Sequence, residues 1–320
     1  MDLVPQALIN GLVAGTLLAV PAICFTAMFA VLRFPNFSVS GVATFGAFAG
    51  YVAYGSLGLP IAASLVVAFA GAGAAGLLFD RIAHLPLAKQ GALPAAIASI
   101  ATGLVLENVI RFCFGNELRG YDRPIARDMR IGDIRVSPQQ LETMGIALAI
   151  MLLVFAALAF TRIGKAMRAS ADNPELAALK GIRPERVAAM ASFVGMGLVG
   201  VGGMLLGLDS SIDPLTGTRI LLSILAAAVL GGLGSAPGAA LGAFLIGMSE
   251  ELSVLVVGSV RDRRGSLPAR PRPQSPASAP ASVAAVGRDR GFLPAGGVER
   301  TRSEQAPRSG RRGTRHSAGR

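Results

Sequence analysis

Residues 164–182 read GKAMRASADNPELAALKGI and stand between two apolar runs, each long enough to cross a bilayer. Either Asp172 or Asn173 can cap a helix that begins at Pro174, carries Glu175 in its first turn and Lys180 in its last, and stops at Gly181. Upstream, Arg168 and the small residues Ala166, Ala169 and Ala171 allow a second close-packed turn. An ordinary loop helix would show the same local signals. These residues therefore define a short, well-terminated helix and leave its task open.

On both sides of this segment the chain is lipid-soluble. A helix rising roughly 1.5 Å per residue needs about 20 apolar residues to span a hydrocarbon layer of about 30 Å. Runs of this kind fall near 7–32, 38–55, 59–80, 92–113, 141–161, 187–207, 218–233 and 238–257. The seventh is short and glycine-flanked, and also reads as a broken or re-entrant helix. The runs are apolar all round, without the polar face that a soluble helix keeps. With 52% hydrophobic residues, 15% charged residues and a mean hydropathy of +0.57, the expected fold class is all-α: a polytopic integral membrane helical bundle of about eight spans. Small residues recur at four-residue spacing, as in Gly11 with Gly15, Gly46 with Gly50 and Gly238 with Gly242. Such pairs allow close helix approach in lipid, although a glycine- and alanine-rich composition alone would also produce them.

A net charge of +11 would suit a nucleic-acid partner, but the charge lies at one end. Residues 261–320 contain 14 Arg, no Lys and 4 acidic residues, a net of +10, whereas residues 1–260 carry a net of +1. The expected organisation is a transmembrane domain over 1–259 and a basic tail rich in Pro, Arg, Ser and Ala over 260–320. The tail has no helical or alternating period, and such a composition cannot bury enough apolar surface to offset chain entropy, so disorder is expected. Arg without Lys also fits out-of-frame translation. Phe292 is the only aromatic residue there that could stack on a base, which argues against nucleic acid.

By parity, Arg33, the link with Arg81 and Lys89, and the segment with Arg162, Lys165, Arg168, Lys180, Arg183 and Arg186 fall on one side. The positive-inside rule makes that side cytoplasmic. The link from Gly115 to Gln140 falls on the other side yet carries Arg119, Arg123, Arg127, Arg130 and Arg135, partly balanced by four acids. At the start, MDLVPQALIN has no basic n-region, so the first apolar run is expected to be a retained span.

The chemistry-bearing residues are few. Cys24 and Cys113 lie far apart in apolar runs, and His84, in a loop, and His316, in the tail, make no metal set. The glycine-rich stretch from Gly231 to Gly238 lacks the lysine of a phosphate-binding loop. The chain is therefore read as a non-enzyme that binds no cofactor directly. Polar residues inside spans are costly in lipid and so stand out: Asn36 and Ser38 at the second run, and Ser99, Thr102, Glu107 and Asn108 in the fourth. Ser99 and Thr102 share a helix face, with Glu107 off it by part of a turn. Lining a translocation path and polar contact between helices are both open to them.

The segment Gly164 to Ile182 with its following glycine-rich run resembles the cytoplasmic coupling loop and next span of permease subunits from ABC importers of branched-chain amino acids. The residues that carry the resemblance are Gly164, Arg168, Ala169, Asp172, Ala177, Leu179, Gly181, Ile182, Arg186 and Val187. LINGLVAGTLLAV near the start, FPNF at Phe34 to Phe37, ASIATG at Ala98 to Gly103 and AVLGGLGSAPGAALGAFLIGMSEEL are similar to other stretches of that family. The resemblance covers about residues 6–258. Ser38, Val39 and Ser40 stand where the family has Ala-His-Gly, and a family tyrosine is replaced near Leu18, which leaves the substrate open.

The resemblance implies a bacterial inner-membrane importer driven by ATP, which separate subunits hydrolyse. It implies a homologous permease subunit, two cytoplasmic ATPases and a periplasmic or lipid-anchored substrate-binding protein as partners. It makes Gly164, Arg168, Ala169, Asp172, Asn173, Glu175, Ala177, Gly181 and Ile182 an ATPase-coupling surface. Transport of urea or short amides, and a truncated non-functional permease or membrane scaffold, are the alternatives.

Overall fold

The computed structural model describes residues 3–265, apart from 122, 124–128, 132 and 133. The chain begins with α1 (Leu3–Leu32), α2 (Val39–Tyr51) and α3 (Ile61–Phe79). A short α4 (Leu85–Ala88) leads into α5 (Ala92–Phe114). After a small antiparallel hairpin, Met129–Ile131 with Ile134–Val136, come α6 (Pro138–Phe160), α7 (Arg162–Asp172) and α8 (Pro174–Leu179). The helices α9 (Pro184–Asp209), α10 (Thr216–Gly231) and α11 (Ala236–Gly265) complete the described bundle. α11 therefore runs past the compositional break at Val260. The rest of the tail, 266–320, lies outside the described residues.

Among the described residues, six helices are long and apolar enough to cross a membrane: α1, α3 continued through α4, α5, α6, α9 and the part of α11 up to Val256. The chain is a multi-pass membrane protein. Two of the eight expected spans are shorter. α2 has 13 residues and continues into a π-type turn at Val52–Ser56, and α10 has 16. Their shortness has a physical reason in α2, which is buried at ten of its positions, Val39 to Gly50. A helix surrounded by protein does not need to match the lipid thickness.

α1 and α9 are mostly buried, and α3, α6 and α11 mostly face outward. One core cluster joins Leu18, Ile23, Phe25 and Met28 of α1 to Val39 and Val42 of α2, Met196 and Val199 of α9, and Ala239 and Ala243 of α11. A second lies nearer the other end around Leu17, Phe48, Met204, Leu205 and Ile212. Close backbone approach holds these helices together. A methyl group at Gly46 of α2 would overlap the backbone of Gly200 in α9, and one at Gly15 of α1 would meet the Phe244 Cα of α11 at 2.9 Å. The four-residue glycine spacing thus marks packing faces, as expected where lipid gives no hydrophobic drive between helices.

The links fall at two ends. At one, Arg33, in the left-handed region at φ 61°, follows α1 and donates through Nη2 to Ala171 O of α7 at 3.1 Å, while Phe34 meets the His84 ring edge-on at 6.3 Å. At the other, Arg119 and Ile212 exchange backbone hydrogen bonds of 2.8 and 2.7 Å, and Tyr121 packs beside Tyr51 and Tyr54. The Tyr121 hydroxyl donates to Ala47 O at 2.7 Å. Burial foremost, and then Tyr51, pushes this phenol above its ordinary range, so it stays a donor. Two arginines of this second end are engaged: Arg123 pairs with Glu142, and Arg119 lies over Tyr51 and Phe114 at 5.9 and 5.8 Å.

Candidate functional site

The segment 162–182 forms two short helices turned against the ends of α6, α1 and α9. Thr161 starts α7 by accepting from Gly164 N at 3.1 Å. Gly164 is needed at this corner because a Cβ there would overlap the backbone of Ala157 and Leu158. Arg168 Nη2 donates to Ala159 O at 3.1 Å, satisfying a carbonyl at the end of α6. On the inner face, Met167 packs with Val187 and Ala191 of α9, with Ile182 and Val31 at the edge.

Of the two capping candidates, Asn173 serves. Its Oδ1 accepts from the backbone N–H of both Glu175 and Leu176, each at 3.1 Å, and Asp172 is the last residue of α7. α8 ends as the sequence suggests. Gly181 takes φ 85°, Gly181 N donates to Ala178 O at 3.0 Å and Ile182 N to Ala177 O at 3.0 Å, a Schellman closure. Ala177 is buried, Ala169 and Ile182 are half-buried, and Arg168, Asp172, Asn173, Glu175 and Gly181 are exposed. The outer surface presents Leu176 and, at 84% exposure, Leu179. An exposed leucine at the tip of a polar helix is an unfilled apolar contact. Beside it, a cleft of about 740 Å³ opens between α1, α6, α7 and the α10–α11 turn, with Arg168 and Asp172 among its lining residues.

The polar residues of the spans separate into two groups. Asn36, Ser38, Ser99 and Thr102 are buried and bonded mainly to protein. Ser38 donates through its hydroxyl to Asn36 Oδ1 at 2.7 Å, Phe37 N donates to Ser99 Oγ at 2.9 Å, and Ser99 and Thr102 donate back to Ala96 O and Ala98 O. This group ties the α1–α2 turn to α5. Sequence alone gives His84 as an isolated loop residue, but the structure buries it within the group. Its Nδ1 lies 2.6 Å from Asp80 Oδ1 and its Nε2 lies 3.1 Å from Thr102 Oγ1. The signal was the i, i+4 spacing of Asp80 and His84, and what hid it was the π-type turn Asp80–His84 that carries both inward.

The second group, Glu107 and Asn108, sits further along α5. Glu107 accepts from Arg111 at 2.8 Å and from Thr218 of α10 at 3.0 Å, whereas Asn108 is exposed and its amide donates back to Leu104 O at 2.8 Å. The structure does not bring these two into the Asn36–Thr102 network.

The sequence profile of the family described as the permease component of the branched-chain amino acid transport system matches residues 7–275. The chain belongs to this family. This permease is 29% identical over 262 residues to the high-affinity branched-chain amino acid transport system permease protein LivH of Escherichia coli K12, covering 78% of this chain and 85% of that one. It is 27% identical over 267 residues to the corresponding protein BraD of Pseudomonas aeruginosa, covering 79% and 87%. The probable branched-chain permease LivH of Methanocaldococcus jannaschii is 29% identical over 280 residues, covering 81% and 84%. Among solved structures, PsaBC from Streptococcus pneumoniae in complex with Fab aligns over 80% of this chain and 84% of that one, with 18% identity and a TM-score of 0.40.

Proposed function

We propose that this permease carries branched-chain or other hydrophobic amino acids across a bacterial inner membrane, driven by ATP that separate subunits hydrolyse. The observation that carries this reading is the α7–α8 pair. Both helices are closed by side-chain or glycine caps, both are tied to spans, and they present Leu176 and Leu179 outward. Gly164, Arg168, Ala169, Asp172, Asn173, Glu175, Ala177, Gly181 and Ile182 shape that surface, and two cytoplasmic ATPases dock against it and against its counterpart on a homologous permease subunit. A periplasmic or lipid-anchored binding protein delivers substrate to the opposite end and sets most of the specificity.

The charge distribution supports this orientation. Arg33 and Arg168 lie at the α7–α8 end, while at the other end Arg123 is paired and Arg119 is stacked. The translocation path follows α5, with Glu107 and Asn108 on its open side and Asn36, Ser38, Ser99 and Thr102 behind it as the polar network that positions α2.

The test uses the reconstituted complex. Gly181→Val places a β-branched residue at φ 85°, a strain of about 1–3 kcal/mol, and Asp172→Ala alters the exposed edge of the surface. Each is expected to uncouple ATP hydrolysis from uptake while the permease stays in the membrane. Coupling retained in both variants would rule the docking surface out.

A further inference from the structure

The ion pair Glu107–Arg111 joins the last two turns of α5. It lies towards the end of a membrane-spanning helix, with Glu107 buried and the Arg111 side chain, in the last turn, 35% exposed. Charges at this depth are costly unless they serve a pathway or have full compensation. Compensation here is incomplete. Arg111 donates through Nη2 to Glu107 Oε1 at 2.8 Å and through Nη1 to Asn108 Oδ1 at a long 3.5 Å, and its Nε is buried with no hydrogen-bond partner. Glu107 Oε2 accepts from the hydroxyl of Thr218, in the first turn of α10, where the helix dipole favours a carboxylate. The guanidinium thus holds one Nε–H in reserve along the edge it shares with Nη2, the edge that forms a two-point contact with a carboxylate.

We infer that Glu107 and Arg111, with Thr218, form a charge-reading station for the two ends of a zwitterionic amino acid on its route between α5 and α10. This rests on the amino-acid reading proposed above and specifies which atoms read the substrate. The substrate carboxylate takes the Nε–Nη2 edge of Arg111, and its ammonium takes the carboxylate of Glu107. The internal pair opens as the external one forms. Because the incoming molecule carries one charge of each sign, the exchange leaves no buried charge unpaired, whereas a neutral amide or a net anion would. Thr218 keeps Glu107 in place while its other oxygen changes partner. No bond is made or broken and no proton moves.

The experiment is uptake of leucine by the complete transporter, with its ATPases and cognate binding protein, in proteoliposomes, normalised to assembled complex. Glu107→Gln keeps the shape and the acceptor for Thr218 but removes the charge; Arg111→Lys keeps the charge but loses the planar fork. Uptake is expected to fall about tenfold or more in the first and about fivefold in the second. The swapped pair, Glu107→Arg with Arg111→Glu, preserves an internal ion pair but reverses the order in which the charges meet the substrate. It is expected to assemble and to remain about tenfold slow. Single variants that transport at the original rate per complex overturn the inference. So does a swap that restores uptake, or a Glu107→Gln chain that fails to assemble, since either makes the pair a packing device. Ligand screening of the binding protein separates the two levels: a ligand other than a zwitterion sinks the amino-acid reading itself, whereas an amino-acid ligand with unaffected variants sinks the station alone.

Discussion

Asn173 accepts two backbone hydrogen bonds at the start of a helix of only six residues. So short a helix has little intrinsic stability, and its caps decide whether it forms. Asn173→Ala is expected to cost about 1 kcal/mol locally, read as faster amide hydrogen exchange over residues 174–179. Tyr121 gives a second test at this scale. Since the fold raises its pKa, its contribution is complete below the ordinary phenol value near pH 10 and is lost as pH rises through the raised value. Tyr121→Phe should remove about 1 kcal/mol at neutral pH and abolish that alkaline loss, measured by thermal unfolding in detergent against pH. The cap and stop of α8 were legible in the sequence because Asn, Pro and Gly act on their immediate neighbours. The choice between Asp172 and Asn173 was not, because it depends on where α7 stops. His84 was illegible for a related reason: burial of a loop-like residue is decided by a π-type turn and by Thr102, 18 residues away.

At the scale of elements, apolar length located the six long helices, since a bilayer imposes the same requirement on each. It overstated α2, whose surroundings are largely protein and whose length is free of that requirement, and α10, which has 16 residues although much of it faces outward. The glycine spacings were ambiguous in one dimension and became specific in three. Gly200→Leu would drive a side chain into Ala72 and Gly46, and is expected to lower the thermal unfolding midpoint through at least about 1–3 kcal/mol of overpacking. Gly145, in α6, faces open space, so Gly145→Ala should leave the midpoint unchanged or raise it through a gain of about 0.5–1 kcal/mol in helix propensity. If both variants behaved alike, close approach at Gly200 would not be what holds α9.

Across the whole molecule, the proposed orientation can be read from the native thiols. Cys24 is buried, and Cys113 is exposed near the end of α5 opposite α7–α8. A membrane-impermeant maleimide added to spheroplasts should label Cys113 and spare Cys24. Labelling confined to inverted vesicles would reverse the topology. Orientation was only half legible in the sequence, because the arginine-bearing link after α5 contradicts a simple count of positive charge. Two arginines of that link, Arg119 and Arg123, are held by Tyr51, Phe114 and Glu142, which lowers their weight in such a count.

The Arg33 contact gives the bundle a mechanical weak link. Its guanidinium joins Ala171, at the end of α7, to the turn that begins α2, three residues ahead of Asn36. Links side by side divide a load, and the stiffer one carries more of it. A single exposed hydrogen bond supplies about 1 kcal/mol, far less than the buried seam of Met167, Val187 and Ala191 on the other side of α7. A pull on α7 would therefore pass mainly into α9 and reach α2 through the Gly46–Gly200 contact rather than through Arg33. The two central helices would then move as one body, with the Arg33 bond free to break without parting them.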